Sequence, residues 1–235
     1  MVKLINANSK DEWESLLSTY KNENIVVVSD PPFNIGYKYN SYKDKMAETE
    51  YYDMLSFFFG NLPSVVIHYP EEGFKLASRI NKIPNKVVSW VYNSNTRKQH
   101  RDILFFDVEP DFTQVTQPYK NPNDKRIQKL MADGREGSRL YDWWEINQVK
   151  NVSKEKTTHP CQMPLEVMNR IIGILPKDII VIDPFMGSGT TGAAVCEMNK
   201  KQCADRKFIG IEIDKEYYDI AVNRIMSYND EIQFE

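Results

Sequence analysis

The chain lacks the means for several kinds of function. Its 235 residues include three cysteines, Cys161, Cys196 and Cys203, with no CxxC pair, and three histidines that lie far apart. An odd cysteine count without ligand spacing excludes a disulfide framework and a zinc site, so we expect a reduced, intracellular protein with no metal. No apolar run reaches the length of a membrane span, and the opening MVKLINANSK has no signal-peptide core. The expected location is therefore the cytoplasm, away from any membrane. Excess positive charge is missing too: 30 Lys and Arg against 33 Asp and Glu leave a net charge of −3. That excludes a protein that coats nucleic acid through its overall field, and leaves such contact to a local patch.

What is present suits one sizeable α/β domain with an insertion, because apolar residues make up 41% and can fill a core. Strand and helix signals alternate. Ile25–Val28, Ser64–Tyr69, Lys86–Tyr92, Ile179–Ile182 and Phe208–Ile211 read as strands, several apolar throughout, as in a parallel sheet buried on both faces. Asp11–Tyr20 (with Ser9 as N-cap), Ala47–Leu62, Glu71–Asn81, Ser188–Asn199 and a last segment carrying Tyr218, Ala221, Val222 and Ile225 read as helices. The rhythm falters from residue 93 to 157, although Ile103–Val108 can add a strand. Residues 1–92 and 158–235 are thus expected to form the main domain, and 93–157 an insertion. Lys125–Lys156 holds eight Lys/Arg and five Asp/Glu, opposite in sign to the whole chain.

Two strand ends carry the chemistry. Asp183-Pro184-Phe185-Met186-Gly187-Ser188-Gly189-Thr190-Thr191 follows a strand and opens a helix, where a glycine turn binds a nucleoside-type ligand. Gly187 and Gly189 let backbone approach a ligand. Glu212, at the tip of the next strand, is placed to accept both ribose hydroxyls. Asp183 would repel a pyrophosphate but suits an ammonium. S-adenosylmethionine has both a ribose and an ammonium. Asp30-Pro31-Pro32-Phe33 ends another strand. An exocyclic amine is a poor nucleophile because its lone pair is delocalised. Acceptors on its hydrogens, Asp30 and a rigid proline carbonyl, free that lone pair, and Phe33 offers a stacking face for a base.

Together DPPF, THPCQMP, DPFMGSGTT and FIGIEID, spread from about Ile25 to Arg224, resemble the DNA amino-methyltransferases in which the catalytic motif precedes the cofactor motif. The resemblance implies a Rossmann-like fold, mostly parallel sheet with helices on both faces, and a site-specific enzyme moving a methyl group from S-adenosylmethionine to a flipped base. Asp30 at the first loop position is similar to adenine-N6 enzymes; cytosine-N4 enzymes more often carry serine there, and RNA or protein amino-methyltransferases have the opposite motif order. By this resemblance Asp30, Pro31, Pro32 and Phe33 are catalytic. Asp183, Phe185, Gly187, Ser188, Gly189, Thr190, Glu212, Thr158 and His159 hold the cofactor. Residues 93–157 recognise the target, with Lys125, Arg126, Lys129, Arg135 and Arg139 as candidate phosphate contacts. The family's restriction–modification setting makes DNA the partner and leaves a restriction endonuclease and a homodimer open. Phe33 replaces the more usual tyrosine, and Ala7-Asn8 stands where a Gly-Asp pair is common.

Pro160-Cys161-Gln162 imitates the nucleophile loop of cytosine-C5 methyltransferases, but it leads into a helix through Pro164 and lacks a partner loop, so Cys161 is read as packing. Trp143-Trp144 and Tyr141 fit either DNA stacking or a small core, and Trp90 fits core packing. His68 ends a strand without a partner carboxylate and receives no role.

Overall fold

The computed structural model describes residues 1–37, 41, 42, 44–150, 153 and 155–228. In chain order the elements are β1 (Val2–Asn6), α1 (Ser9–Thr19), β2 (Ile25–Ser29), α2 (Glu48–Phe59), β3 (Ser64–His68), α3 (Pro70–Ile80), β4 (Lys86–Val91) and β5 (His100–Phe106). There follow β6 (Thr116–Gln117), α4 (Lys125–Ala132), β7 (Ser138–Arg139), β8 (Trp143–Glu145), α5 (Leu165–Gly173), β9 (Ile180–Asp183), α6 (Thr190–Gln202), β10 (Lys207–Glu212) and α7 (Lys215–Met226). Eight strands form one sheet in the order β1-β10-β9-β2-β3-β5-β4-β8. All neighbours run parallel except β5, which is antiparallel to both β3 and β4.

The unbroken apolar strands behave as parallel strands must. Every residue of β2, β3 and β9 is buried, because helices cover both faces of the sheet. Alternate side chains enter opposite layers. Val26, Val28, Val65, Ile67 and Val181 pack with Val167, Ile171, Val195 and Ile225, which come from α5, α6 and α7. Val27, Val66, Ile180, Ile182 and Ile209 pack with Trp13, Leu16, Leu55, Phe58 and Leu76, from α1, α2 and α3. This is the expected three-layer α/β architecture.

Several local details differ from the sequence expectation. β1 is an additional strand, paired with β10 from Val2↔Phe208 to Asn6↔Glu212. The N-cap of α1 is Asn8, whose side chain accepts from the Lys10 N–H. Ser9 lies inside the helix and donates to the Pro184 carbonyl. Helix α6 begins at Thr190, two residues later than expected, because Gly189 caps it in the left-handed conformation at φ 74°. The stretch from 93 to 157 is not wholly outside the sheet. It supplies β5, inserted between β3 and β4, and β8 at the edge; only β6, β7 and α4 stand apart. Strand alternation settles the tryptophan pair: Trp144 is fully buried and donates its indole N–H to the Tyr141 carbonyl at 2.9 Å, whereas Trp143 is 41% exposed. Among the described residues no helix is long and apolar enough to cross a membrane.

Trp144 anchors the edge strand that closes the inserted stretch onto the sheet. Trp144→Ala should cost about 3–5 kcal/mol, the usual range for an aromatic-to-alanine cavity. Urea unfolding would show it as a lower midpoint, and a loss below about 1 kcal/mol would mean that β8 contributes little to the fold.

Candidate active site

Strands β2 and β9 are direct parallel neighbours, in register from Ile25↔Ile180 to Val27↔Ile182. Their C-terminal tips therefore lie side by side, and the Ser29 hydroxyl on one donates to Asp183 Oδ1 on the other at 2.6 Å. The DPPF loop and the glycine turn leave the sheet at this point. Both line one cavity of about 500 Å³, together with Glu212, Arg101, His159 and Tyr217. Asp30, Pro31, Pro32, Phe33, Asp183, Phe185, Gly187, Ser188, Thr190, Glu212 and His159 all face this crevice.

Asp183 is a knot at the base of the crevice. Its oxygens accept from the Ser29 hydroxyl, from the Thr191 hydroxyl at 2.6 Å and from the Phe185 N–H at 3.1 Å. The carboxylate assigned to an ammonium is thus already holding two strand tips and a helix start together. Burial nevertheless pushes its pKa upward against these hydrogen bonds. Glu212 braces the turn from the other side, accepting the Gly187 N–H at 2.9 Å on Oε2 and the Asp214 N–H at 2.8 Å on Oε1. Each of its oxygens has two lone pairs, so ribose hydroxyls can still be accepted. Burial is the chief cause of its raised pKa.

Both glycines also leave room for packing. A Cβ on Gly187 would meet the His159 ring at 3.1 Å, and one on Gly189 would meet Ala221 at 2.9 Å. Gly189 faces α7 and does not border the crevice, and neither does the exposed Thr158. His159 packs edge-on against Tyr217 at 4.5 Å, and burial pushes its pKa down to about 4, so its ring is neutral. Its Nδ1 is buried with no hydrogen-bond partner among the described residues. An unsatisfied ring nitrogen, a carboxylate with lone pairs to spare and a tight glycine turn are features that fit the polar groups of S-adenosylmethionine.

The DPPF loop is held by residues that the sequence did not single out. Asp44 accepts the N–H groups of Asn34, Ile35 and Tyr37 at 2.7, 3.2 and 3.0 Å. Asn34, at φ 57°, exchanges side-chain hydrogen bonds with the Met46 backbone. His68 is fully buried, and burial together with Arg101 and Lys98 pushes it down to about 3, so it is neutral. Its Nδ1 accepts the Tyr69 N–H at 2.8 Å. The proton therefore sits on Nε2 and is donated to the Tyr51 hydroxyl 2.6 Å away, and Tyr51 in turn donates to the Pro32 carbonyl at 2.8 Å. His68 thus has a structural task after all, one for which its place at a strand end gave no signal.

Arg101, on the antiparallel strand β5, is the other unforeseen member. Its Nη1 lies 3.4 and 3.3 Å from Asp30 Oδ1 and Oδ2, and its guanidinium carbon sits over the Phe33 ring, 4.5 Å from the ring centre. Burial pushes Asp30 up to about 6, with Arg101 pulling it down and Asp183 adding to the rise. By contrast, Lys125, Arg126, Lys129, Arg135 and Arg139 are exposed and none borders the crevice. Cys161 is exposed and lies at the crevice wall.

With this geometry in view, comparison with known proteins is decisive. The DNA methylase family matches residues 56–223. The chain belongs to that family. Type II methyltransferase M.HpaI of Haemophilus parainfluenzae is 28% identical over 241 residues, covering 91% of this chain and 72% of that protein. DNA adenine methyltransferase YhdJ of Escherichia coli is 40% identical over 84 residues, covering 35% of this chain and 26% of that protein. The solved M1.HpyAVI–SAM complex superposes with a TM-score of 0.58 at 20% identity, covering 96% of this chain and 99% of that one. The methylase therefore has the methyltransferase fold, and its substrate class is DNA.

The crevice of the methylase makes a prediction about Asp30. Its folded pKa lies above the ordinary carboxylate value of about 4, so the folded chain binds this proton more tightly than the unfolded chain. The folded state therefore loses stability as the pH rises from about 4 to about 6, carries the full cost above that, and regains it on acidification. Carbon-detected NMR of labelled aspartate should find one carboxyl titrating near 6 that disappears in Asp30→Asn. Titration of that carboxyl near 4 would mean that the crevice is wetter than it looks.

Proposed function

We propose that the chain transfers a methyl group from S-adenosylmethionine to the N6 amino group of an adenine flipped out of DNA. The observation that supports this reading is the shared crevice, with Asp30 and Phe33 on one wall and Gly187 and Glu212 on the other. S-adenosylmethionine supplies an electrophilic methyl group when bound. Glu212 would hold its ribose, and His159 Nδ1, the Gly187 turn and Phe185 its remaining polar and ring parts.

The chain's own work is to make the amine nucleophilic. Asp30 accepts one amino hydrogen, and a proline carbonyl accepts the other. The Pro32 carbonyl is already taken by Tyr51, so we assign the second acceptor to Pro31. With both hydrogens held, the nitrogen lone pair is no longer committed to the ring and can point across the crevice. As the N–C bond forms, the methyl–sulfur bond breaks and S-adenosylhomocysteine is the leaving group; the extra proton on nitrogen departs by way of Asp30 or water, and no covalent enzyme intermediate is needed. The groups lie within the rigid sheet edge, so little reorganisation is required at the moment of reaction. Phe33 supplies the stacking face.

Target recognition is assigned to the part of 93–157 outside β5 and β8. There α4 exposes Lys125, Arg126 and Lys129, and the β6–β7 ribbon exposes Arg139. Arg135 follows the helix. The cytoplasm, where unpackaged DNA is accessible, is the compartment that suits this reading.

Asp30→Ala should lose at least about 100-fold in DNA methylation, the lower end for removal of a preorganised polar group, while calorimetry still shows cofactor binding. Nucleoside mass spectrometry of DNA treated with the unaltered protein should yield N6-methyladenine. An active Asp30→Ala, or N4-methylcytosine as the product, would contradict the reading.

A further inference from the structure

If Phe33 is to stack on the target base, its ring must be accessible, and two groups already crowd it. The His68 ring lies 4.7 Å away, inclined by 32°. His68 is fully buried and tied at both nitrogens, so it cannot withdraw. Over the ring sits the Arg101 guanidinium, 4.5 Å from its centre and also 5.2 Å from that of Trp90 and 5.6 Å from that of Tyr69. The same guanidinium points Nη1 at both oxygens of Asp30.

A guanidinium is a flat amidine with N–H groups in its plane, and so is the N1–C6–N6 edge of adenine in its essentials. Lying over Phe33 and donating to Asp30, Arg101 touches the two groups that the target base must touch. We propose that Arg101 is a placeholder: it occupies the base slot of the free enzyme, and the arriving base displaces it. This rests on the reading that Asp30 and Phe33 grip the base.

The way Arg101 is held suits a group that must leave. Its contacts with Asp30 are long for charge-assisted hydrogen bonds, at 3.3 and 3.4 Å. Nη1 otherwise reaches the weak acceptor Met163 Sδ at 3.5 Å, and the guanidinium also hydrogen-bonds the Tyr92 side chain. Nε is buried with no hydrogen-bond partner among the described residues. A better partner, such as a DNA phosphate, can compete for it. While it stays, it prevents a buried carboxylate from facing an empty apolar slot lined by Phe33, Tyr69 and Trp90.

An occupied slot lowers the apparent affinity for DNA by the fraction of molecules in which the slot is free. Arg101→Ala should therefore lower KM for DNA, by roughly three- to tenfold if the slot is closed in most molecules. The assay is transfer of labelled methyl from S-adenosylmethionine to bulk DNA of an unmethylated host at pH 8.5. Free guanidinium ion, far below denaturing concentration and compared with sodium chloride of equal ionic strength, should refill the slot of Arg101→Ala and inhibit competitively with DNA. A higher or unchanged KM, or rescue of kcat by guanidinium, would place Arg101 in the loaded complex and overturn the proposal. If Arg101→Ala fails to bind cofactor, Arg101→Gln, which keeps the stem and loses the charge, is read by the same criteria. An unaltered enzyme inactive on DNA, or an active Asp30→Ala, would instead sink the underlying reading and this inference with it.

Discussion

The short hydrogen bond between the Ser29 hydroxyl and Asp183, 2.6 Å across two strand tips, is the constraint on which the rest depends. Parallel strands present all their C-terminal ends at one edge, so ligands collect there. Here the two neighbouring ends carry different motifs, and Asp183 also ties the start of α6 through Thr191. The cofactor turn and the catalytic loop are therefore fixed to each other through the sheet. Chemistry that needs two reactants at a defined separation gains most from such fixing.

The crevice concentrates carboxylates, and that has an electrostatic consequence. Asp30, Asp183 and Glu212 all have pKa values raised chiefly by burial, and Asp183 adds to the rise of Asp30. Such a cluster is tolerable because each member has donors: backbone and hydroxyl groups for Asp183 and Glu212, the Arg101 guanidinium for Asp30. Asp30 has the weakest set, in keeping with a group reserved for a substrate. The loop around it is secured from behind by Asp44, Asn34 and the Tyr51–His68 pair, so on its other side Asp30 meets only the long Arg101 contacts.

Much of this was legible in the sequence because it is local. Strands buried on both faces announce themselves as apolar runs, and β2, β3, β9 and β10 fell where Val, Ile and Phe are concentrated. Motifs at strand ends place themselves once the sheet is parallel. What escaped depends on tertiary packing. β1 is a short edge strand whose alternation is too brief to read. Gly189 looked like a ligand contact, yet its missing Cβ makes room for Ala221, a residue 32 positions further on (221 − 189). Arg101 meets Asp30 only because β5 is inserted antiparallel beside β3, and His68 reaches the Pro32 carbonyl only through Tyr51 of α2; no local pattern encodes either arrangement. The Trp143-Trp144 pair was ambiguous until the edge pairing of β8 with β4 fixed which indole points inward.

The most direct test of the central claim is a crystal structure of the protein with sinefungin, an S-adenosylmethionine analogue bearing an amine in place of the transferable methyl. The ribose should rest on Glu212 and the analogue's amine should project across the crevice toward Asp30 and Pro31. A ligand seated elsewhere, or one whose amine points away from Asp30 behind the Gly187 turn, would contradict it.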